Sequence, residues 1–293
     1  MTARNSGVWI AAAAICLGAA AGCIKAPETA LERLVEARRS AADLLVQFIK
    51  AADASNRAVM ADTDNVSVAF AREAEQATQS VQKDADALEP NLQSLGYSNE
   101  TRLLEEFSSR FSEYRALDRT ILDLAVENTN LKAQRLSFGP AQEAADAFGT
   151  SLEALAVSDT KDTWRLKALV ATAEAAEREI QIQQAPHIAE SDEAAMTRME
   201  KQMAASEATA RTALVTLASV VQPASRPQLG TAMQALDRFM ELNAQIVALS
   251  RRNTNVRSLA LSLGQKRTLI AACEDSLGAL QDALAKREFT ATR

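Results

Sequence analysis

The phrase NTNLKAQRLSFG, residues 128–139, recurs 125 residues later as NTNVRSLALSLG, residues 253–264. Around both copies, apolar residues spaced alternately four and three apart match at the same offset. This spacing is typical of the narrow seam between helices that pack nearly parallel. The repeat therefore predicts two related helical units. The matched positions are Leu117, Ile121, Leu124, Asn128 and Leu131 in the first copy, and Leu242, Ile246, Leu249, Asn253 and Val256 in the second.

The composition agrees with a wholly helical chain. Only 9 Gly, 6 Pro and 4% aromatic residues occur among 293 residues, and 47% of the residues are hydrophobic. This is the usage of long helices with short connections and packed cores. We predict an all-α fold of two tandem antiparallel helical bundles of the four-helix type, with an internal repeat of about 125 residues. The first unit is predicted to span residues 23–157 and the second residues 158–293.

The junction between the two units has two interpretations. Gly139 and Pro140 are predicted to end one helix and begin the next, because proline fits a first helical turn. The segment SDTKD, residues 158–162, then forms either a loop or part of one helix from 140 to 185. Ser, Asp and Thr compete for backbone hydrogen bonds and favour a loop. A continuous helix of roughly 70 Å would instead join the bundles into a rod, and we favour the rod.

The N-terminus has the layout of a bacterial export signal. One cation, Arg4, precedes an apolar stretch from Val8 to Ala21, and small residues follow up to Cys23. As a helix, the apolar stretch would measure roughly 21 Å, which is short of the hydrocarbon core of a membrane. A cleaved signal peptide over residues 1–22 is therefore favoured over a permanent membrane span.

The segment AAGC, residues 20–23, resembles the lipobox of bacterial lipoproteins, although Ala20 stands where that family more often has leucine. The resemblance implies that Cys23 becomes the first mature residue and carries a lipid anchor. With Ile24 rather than aspartate in the next position, resemblance to enterobacterial sorting rules favours the outer membrane, with the protein facing the periplasm. The alternative is cleavage by ordinary signal peptidase after an Ala-x-Ala site.

A second resemblance concerns the folded part of the chain. Residues 113–155, EYRALDRTILDLAVENTNLKAQRLSFGPAQEAADAFGTSLEAL, resemble the latter half of the four-helix-bundle sensor domain of bacterial methyl-accepting chemotaxis receptors. Residues 238–264 resemble a second copy of the central part of that domain. The resemblance carries no motif specific to one ligand, and neither a second membrane span nor a signalling module follows. It implies a sensor module that acts through a partner protein.

Three polar residues in the predicted apolar seams are candidates for ligand binding. Asn128 and Asn253 either fix the register of packed helices, because a buried amide needs a partner, or line a polar pocket. Arg38 interrupts the seam of the first helix and has the geometry to hold a carboxylate through two parallel hydrogen bonds. Its alternative role is structural, with the stem on apolar neighbours and the charge in water. For all three residues the structural interpretation is favoured.

The sequence offers little for enzymatic or metal chemistry. His187 is the only histidine and is expected in a solvated turn, since a transition-metal site needs more nitrogen or sulfur ligands. Cys273 lies in an apolar stripe and is expected in a core. Serine nucleophile elbows and phosphate-binding glycine loops are missing from the sequence. We predict a protein that is not an enzyme and has no cofactor.

The formal net charge of −6 argues against nucleic acid as a partner, because phosphate binding needs a basic surface. The predicted partners are therefore a membrane lipid anchor and an unidentified protein, with a small-molecule ligand and a homodimer as further options. The alternative to a sensor is a structural spacer or adaptor lipoprotein that binds no small molecule.

Overall fold

A computed structural model describes residues 29–158 and 163–288. Within these ranges the regular structure is helical, and the predicted all-α fold of helical bundles is confirmed. Short turns and two helix breaks connect the elements. The helices are α1 Ala30–Val59, α2 Asp64–Ser94, α3 Ser98–Glu127, α4 Thr129–Leu136, α5 Gln142–Ser158, α6 Thr163–Ala189, α7 Glu193–Val220, α8 Arg226–Arg252, α9 Thr254–Leu261 and α10 Arg267–Ala285.

Side-chain caps explain several helix ends. Thr29 accepts a hydrogen bond from the Glu32 backbone and the Glu32 side chain accepts one from Thr29, so a capping box starts α1. The Asp192 carboxylate accepts two backbone N–H groups at the start of α7. Gly96 turns the chain between α2 and α3 with a φ of 70°, a left-handed conformation that favours glycine.

Two long helical paths run through the whole molecule. In the first path, α3 leads into α4 at Asn128, and a π-helical turn at Ser137–Ala141 joins α4 to α5. In the second path, α8, α9 and α10 follow each other in the same manner through Asn253 and a π-helical turn at Ser262–Lys266. The predicted helix break at Gly139 and Pro140 is wrong. The π-turn accommodates a proline nitrogen that has no hydrogen to donate, and the helix is interrupted at Asn128 instead, where the backbone is left-handed.

The two long paths end in different bundles from those in which they begin. The first path ends with α5 in the second bundle, and the second path ends with α10 in the first bundle. The core of the first bundle contains residues of α1, α2, α3 and α10, and the core of the second contains residues of α5, α6, α7 and α8. The cores therefore do not follow the predicted units 23–157 and 158–293. Each long path is antiparallel to the other, so the final helix of either repeat packs onto the helices of the other repeat.

The favoured continuous helix from 140 to 185 is also wrong. Gln181 of α6 donates a 2.5 Å hydrogen bond to Gln142 of α5, whereas a continuous helix would separate these residues by roughly 58 Å. Helices α5 and α6 therefore form an antiparallel hairpin within the second bundle. Ser158 ends α5, Thr163 begins α6, and residues 159–162 of the ambiguous segment lie outside the described part of the chain.

None of the helices within 29–158 and 163–288 is long and apolar enough to cross a membrane.

Candidate functional site

The repeated NTN sequences meet where the two long paths cross. The backbone N–H of Thr129 donates to Oγ1 of Thr254, and the backbone N–H of Thr254 donates to Oγ1 of Thr129, each over 3.1 Å. Asn130 and Asn255 exchange backbone-to-side-chain bonds of the same length. The first turns of α4 and α9 thus cap each other reciprocally, and this pattern has pseudo-two-fold symmetry. The repeated phrase therefore contacts its own second copy at the crossing of the two repeats.

Asn128 and Asn253 adopt left-handed conformations with φ of 50° and 53°, which asparagine tolerates better than most residues. Oδ1 of Asn128 accepts a 2.9 Å hydrogen bond from Asn255, and Oδ1 of Asn253 accepts one of 2.8 Å from Asn130. Asn253 also donates to the Glu190 carbonyl over 2.7 Å. Both asparagines are buried, and these contacts are those of a register device at a helix break rather than within a continuous seam.

A buried ion pair lies in the first bundle below this crossing. Nζ of Lys266 is 2.9 Å from Oδ1 of Asp118 and donates to Ser55 over 2.5 Å. Ser55 in turn donates to the same Asp118 oxygen. The three residues come from the π-turn before α10, from α3 and from α1, so the exchanged path completes the cluster.

The ion pair is buried, and it lies beside polar side chains and one aromatic ring. Lys266 is fully buried, and burial lowers the pKa of its ammonium group, opposed by the Asp118 carboxylate. The Lys266 ammonium also lies 5.8 Å from the Tyr114 ring centre. Burial, reinforced by the Asp118 charge, raises the pKa of the Tyr114 phenol well above its usual value. The Tyr114 hydroxyl has no hydrogen-bond partner among the described residues.

A surface groove lies between α2 and α3, and Asp118 is one of the residues that line it. The groove has a cavity volume of about 350 Å³, at the lower end of the range for small-molecule sites. Its lining combines apolar residues with three arginines and three acids, of which Asp118 is the buried one. The lining residues are Val68, Ala71, Arg72, Glu75, Thr78, Gln79, Arg115, Asp118, Arg119, Leu122, Asp123 and Val126.

The second repeat places different side chains at the corresponding positions. At the 125-residue offset, Thr78 and Arg115 match Met203 and Met240, and Ala71 matches Met196. Met196 and Met203 are 1% and 3% exposed, and Met240 packs on the second core. The helix pair α7 and α8 is therefore filled by flexible apolar side chains where α2 and α3 leave a charged groove.

The buried cluster is also specific to the first bundle. Asp118 and Lys266 correspond at the offset to Asn243 and Ala141, which belong together to the second bundle. Because the last helices are exchanged, each bundle takes one of these positions from each repeat. The two charges thus occur together in one bundle and are absent together from the other, as expected if each needs its partner.

His187 has a role that differs from the expected solvated turn, which is wrong. Its ring is fully buried at the end of α6, where Nδ1 meets the Ser250 hydroxyl and Nε2 lies 2.9 Å from Glu200. Arg251 binds the Glu200 carboxylate with both Nε and Nη2, and this contact lowers the Glu200 pKa. Ser250, His187 and Glu200 are in contact as the residues of a hydrolase triad are. Ser250 is fully buried, however, so its hydroxyl is not open to a substrate in this conformation. The cluster joins α6, α7 and α8.

The remaining candidates have structural contacts. Arg38 donates to the carbonyls of Leu284, Ala285 and Arg287 and so caps the C-terminal end of α10. Cys273 is fully buried in the first core, as expected, and burial raises the pKa of its thiol to about 12. Cys23 lies outside the described residues.

Sequence reasoning missed Asp118, Lys266 and the arginines of the groove. Lys266 lies beside a glycine that the sequence presents as a helix break, the others lie within a predicted helix, and the proximity of Lys266 to Asp118 depends on the helix exchange. One signal was nevertheless present, because aligning the repeats shows a change from Asp and Lys to Asn and Ala at two positions. Such paired changes indicate contact.

Comparison with known proteins gives no relative: no family model, curated protein or solved structure matches the chain. Among the residues that the structure describes, no group of three or more His, Cys, Asp or Glu side chains is arranged to hold a metal ion. The groove between α2 and α3 combines charged residues, a buried carboxylate and a cavity of a size that small-molecule sites have.

Proposed function

We propose that the protein is a lipid-anchored, non-enzymatic sensor module of the bacterial cell envelope, which binds a small molecule and acts through a partner protein. The observation that carries this proposal is the groove between α2 and α3, whose lining includes the buried Asp118. The resemblance of residues 113–155 to chemoreceptor sensor domains supports it, because those residues include the α3 wall of the groove.

The proposed anchor is a lipid on Cys23. Only five residues separate Cys23 from Thr29, the cap of α1, so the anchor would hold the start of the first bundle at the membrane. A mature lipoprotein carries three acyl chains, which anchor stably, whereas one chain gives only marginal binding. Cys23→Ser is expected to release folded protein from the membrane fraction. An unmodified N-terminal peptide beginning before Cys23, found by mass spectrometry of exported and cleaved protein, would contradict the anchor.

Ligand binding is tested by thermal shift. A chain of residues 27–293 is screened against amino acids, organic acids and aromatic compounds. A ligand at a hundred times its dissociation constant stabilises the folded state by about 2.7 kcal/mol. For a chain of this size, the melting temperature should then rise by roughly 5 °C. If no compound raises the melting temperature, the sensor proposal is wrong.

A second candidate is a spacer or adaptor, and the two long helical paths favour it. The path from Ser98 to Ser158 alone has a contour length of roughly 90 Å and ties both bundles together. Crosslinking in the native envelope separates the two functions. An adaptor should give one dominant protein neighbour whose yield does not change with any small molecule, whereas a sensor's crosslinks should change when its ligand is added.

A further inference from the structure

We infer that α1 lies along the membrane surface, where an exposed apolar stripe on its outward side contacts the lipid. The stripe consists of Leu31, Val35, Ala42, Val46 and Ile49. This inference rests on the lipid anchor of the proposed function, and it adds the orientation of the first bundle on the bilayer. It follows from the position of the stripe on α1, from the short tether to Cys23 and from the charges beside the stripe.

Helix α1 is apolar on two separate sides. One side packs in the first core and buries Leu34, Ala37, Ala41, Leu44 and Phe48. On the other side, the four large residues of the stripe are 47–56% exposed. At about 100° for each residue, these four side chains lie within an arc of about 60°. The stripe continues for roughly 27 Å along the helix, and no other described helix covers it.

The chain between the proposed anchor and α1 is short. Five residues separate Cys23 from Thr29, and a fully extended chain of this length spans at most about 20 Å. The start of α1 is therefore held within about 20 Å of the bilayer, and Leu31 lies in its first turn. The helix that follows the anchor is thus the helix that carries the stripe. Rotation of the bundle about its tether is enough to lay the stripe on the lipid.

The charges beside the stripe match a phospholipid surface. Arg38 and Arg39 flank the stripe near its middle, one on each edge, whereas the acids of this part of α1 lie farther round the helix. Arg38 donates to carbonyl groups at the end of α10, and Arg39 makes only an exposed ion pair of 3.7 Å with Asp43. Arginines at a membrane surface keep their stems on apolar neighbours and reach the lipid phosphates with their charge. The stripe therefore offers lipid both an apolar surface and two cations.

A second copy of the chain is a less favourable cover for the stripe. Arg38 and Arg39 lie within two residues of position 40, the midpoint between Leu31 and Ile49. Packing of two copies through the stripe, in either direction, would therefore bring these arginines against the same arginines of the other copy. Like charges that face each other across an interface repel, whereas lipid phosphates attract arginine. The charges thus favour the membrane over self-association.

The experiment measures how close the stripe comes to lipid. A fluorescent label is attached at Val46→Cys in the full chain, which is reconstituted into phosphatidylcholine vesicles. Some of the lipid carries a nitroxide on its acyl chain, which quenches the label at short range. The control label is at Ser112→Cys, an exposed position of α3, the helix across the first core from α1. Cys273 is fully buried and stays unlabelled, and mass spectrometry of the N-terminal peptide shows whether Cys23 carries lipid in the same sample.

The label at residue 46 should lose at least about half of its fluorescence, because an interfacial helix lies about 5–10 Å into the boundary of headgroups and acyl chains. The label at residue 112 should be quenched much less, since it is at least one helix diameter, about 10 Å, farther from the lipid. Val35→Glu with Ile49→Glu places two acids in the stripe and should lower the quenching at residue 46 to that at residue 112. Val215→Glu, at an exposed valine of α7, is the matched control and should leave the quenching unchanged. These surface substitutions should keep the melting temperature.

Several results would overturn the inference. In a bundle that stands upright on its tether, residue 46 lies roughly 25 Å beyond Thr29, and both labels are quenched equally little. That result in a chain that carries lipid on Cys23 would overturn the inference and leave the anchor standing. Quenching that survives the two glutamates would show that the stripe is not the surface in contact, and disulfide-linked dimers through Val46→Cys would show that a second copy covers it. A chain with unmodified Cys23 that does not bind vesicles would overturn the anchor and the inference together.

Discussion

Removing the ammonium of Lys266 is the sharpest perturbation of the buried cluster in the first bundle. Lys266→Ala leaves the Asp118 carboxylate 3% exposed with Ser55 as its remaining partner. Breaking a buried ion pair by removing one partner typically costs about 3–5 kcal/mol, since the other charge stays buried. At about 2 °C for each kcal/mol in a chain of this size, the melting temperature should fall by roughly 5–10 °C.

The second bundle indicates which substitution should restore stability. Asp118→Asn together with Lys266→Ala introduces the residues that occur at Asn243 and Ala141. This double variant has no charged side chain at either position of the cluster, so it should recover at least half of the stability that Lys266→Ala loses. The single variant Asp118→Asn leaves a buried ammonium and should also be destabilised. The loss of stability in the double variant should be smaller than the sum of the losses in the two single variants by about 2 kcal/mol or more.

Circular dichroism at 222 nm measures the melting temperature of the four proteins at pH 8. Additive effects of the two substitutions, or an equal defect in Lys266→Ala and the double variant, would refute the argument that the charges stabilise the fold only as a pair.

Three further predictions concern single residues. Burial raises the pKa of Glu177 to about 7, so the folded state holds its proton more tightly and this group's contribution to stability is lost as pH rises from 4.5 to 7. Glu177→Gln should therefore stabilise the protein by roughly 2–3 kcal/mol at pH 8 and hardly at pH 4, as measured by urea denaturation. Asn253→Ala should lower the free energy of unfolding by roughly 2–4 kcal/mol, because alanine is strained in a left-handed conformation and cannot make the side-chain hydrogen bonds. Asn253→Gly should lower it by about half as much, because glycine relieves the strain. Equal losses in the two variants would contradict the left-handed role of Asn253. Cys273, with a thiol pKa of about 12, should resist iodoacetamide at pH 8 until denaturant is added, and rapid labelling of its peptide in the folded protein, seen by mass spectrometry, would show that the thiol is accessible.

Local chemistry in the sequence was sufficient for the fold class. The apolar spacing around Ile121 and Ile246 and the low glycine content predicted packed helices, and both isoleucines are fully buried. The 125-residue repeat predicted the correspondence between α3 and α8. Periodicity does not say which helix packs on which, however. The exchange of α5 and α10 depends on the reciprocal capping of Thr129 and Thr254, which involves two segments far apart in the chain.

The same limit applies to the candidate site. Asn128 and Asn253 were found because an amide in an apolar seam is conspicuous, but a left-handed break and a polar seam position give the same pattern in a sequence. Lys266 follows Gly264 and Gln265 in what the sequence presents as a polar helix break, so nothing local indicates full burial. Only the continuation of α9 through a π-turn brings its side chain to Asp118.

The exchange of helices is the central claim, because it unites Asp118 with Lys266 and makes the two bundles different. Spin labels at Arg102→Cys on α3 and Lys286→Cys after α10 test it in residues 27–293, where Cys273 is the only native cysteine and is buried. Both labelled positions line the same surface depression. Double electron–electron resonance should give one distance of about 20 Å, as for labels on neighbouring helices of roughly 10 Å diameter. If α10 packed instead on the second bundle, the distance would exceed about 40 Å, the length of one bundle helix, and that result would contradict the exchange.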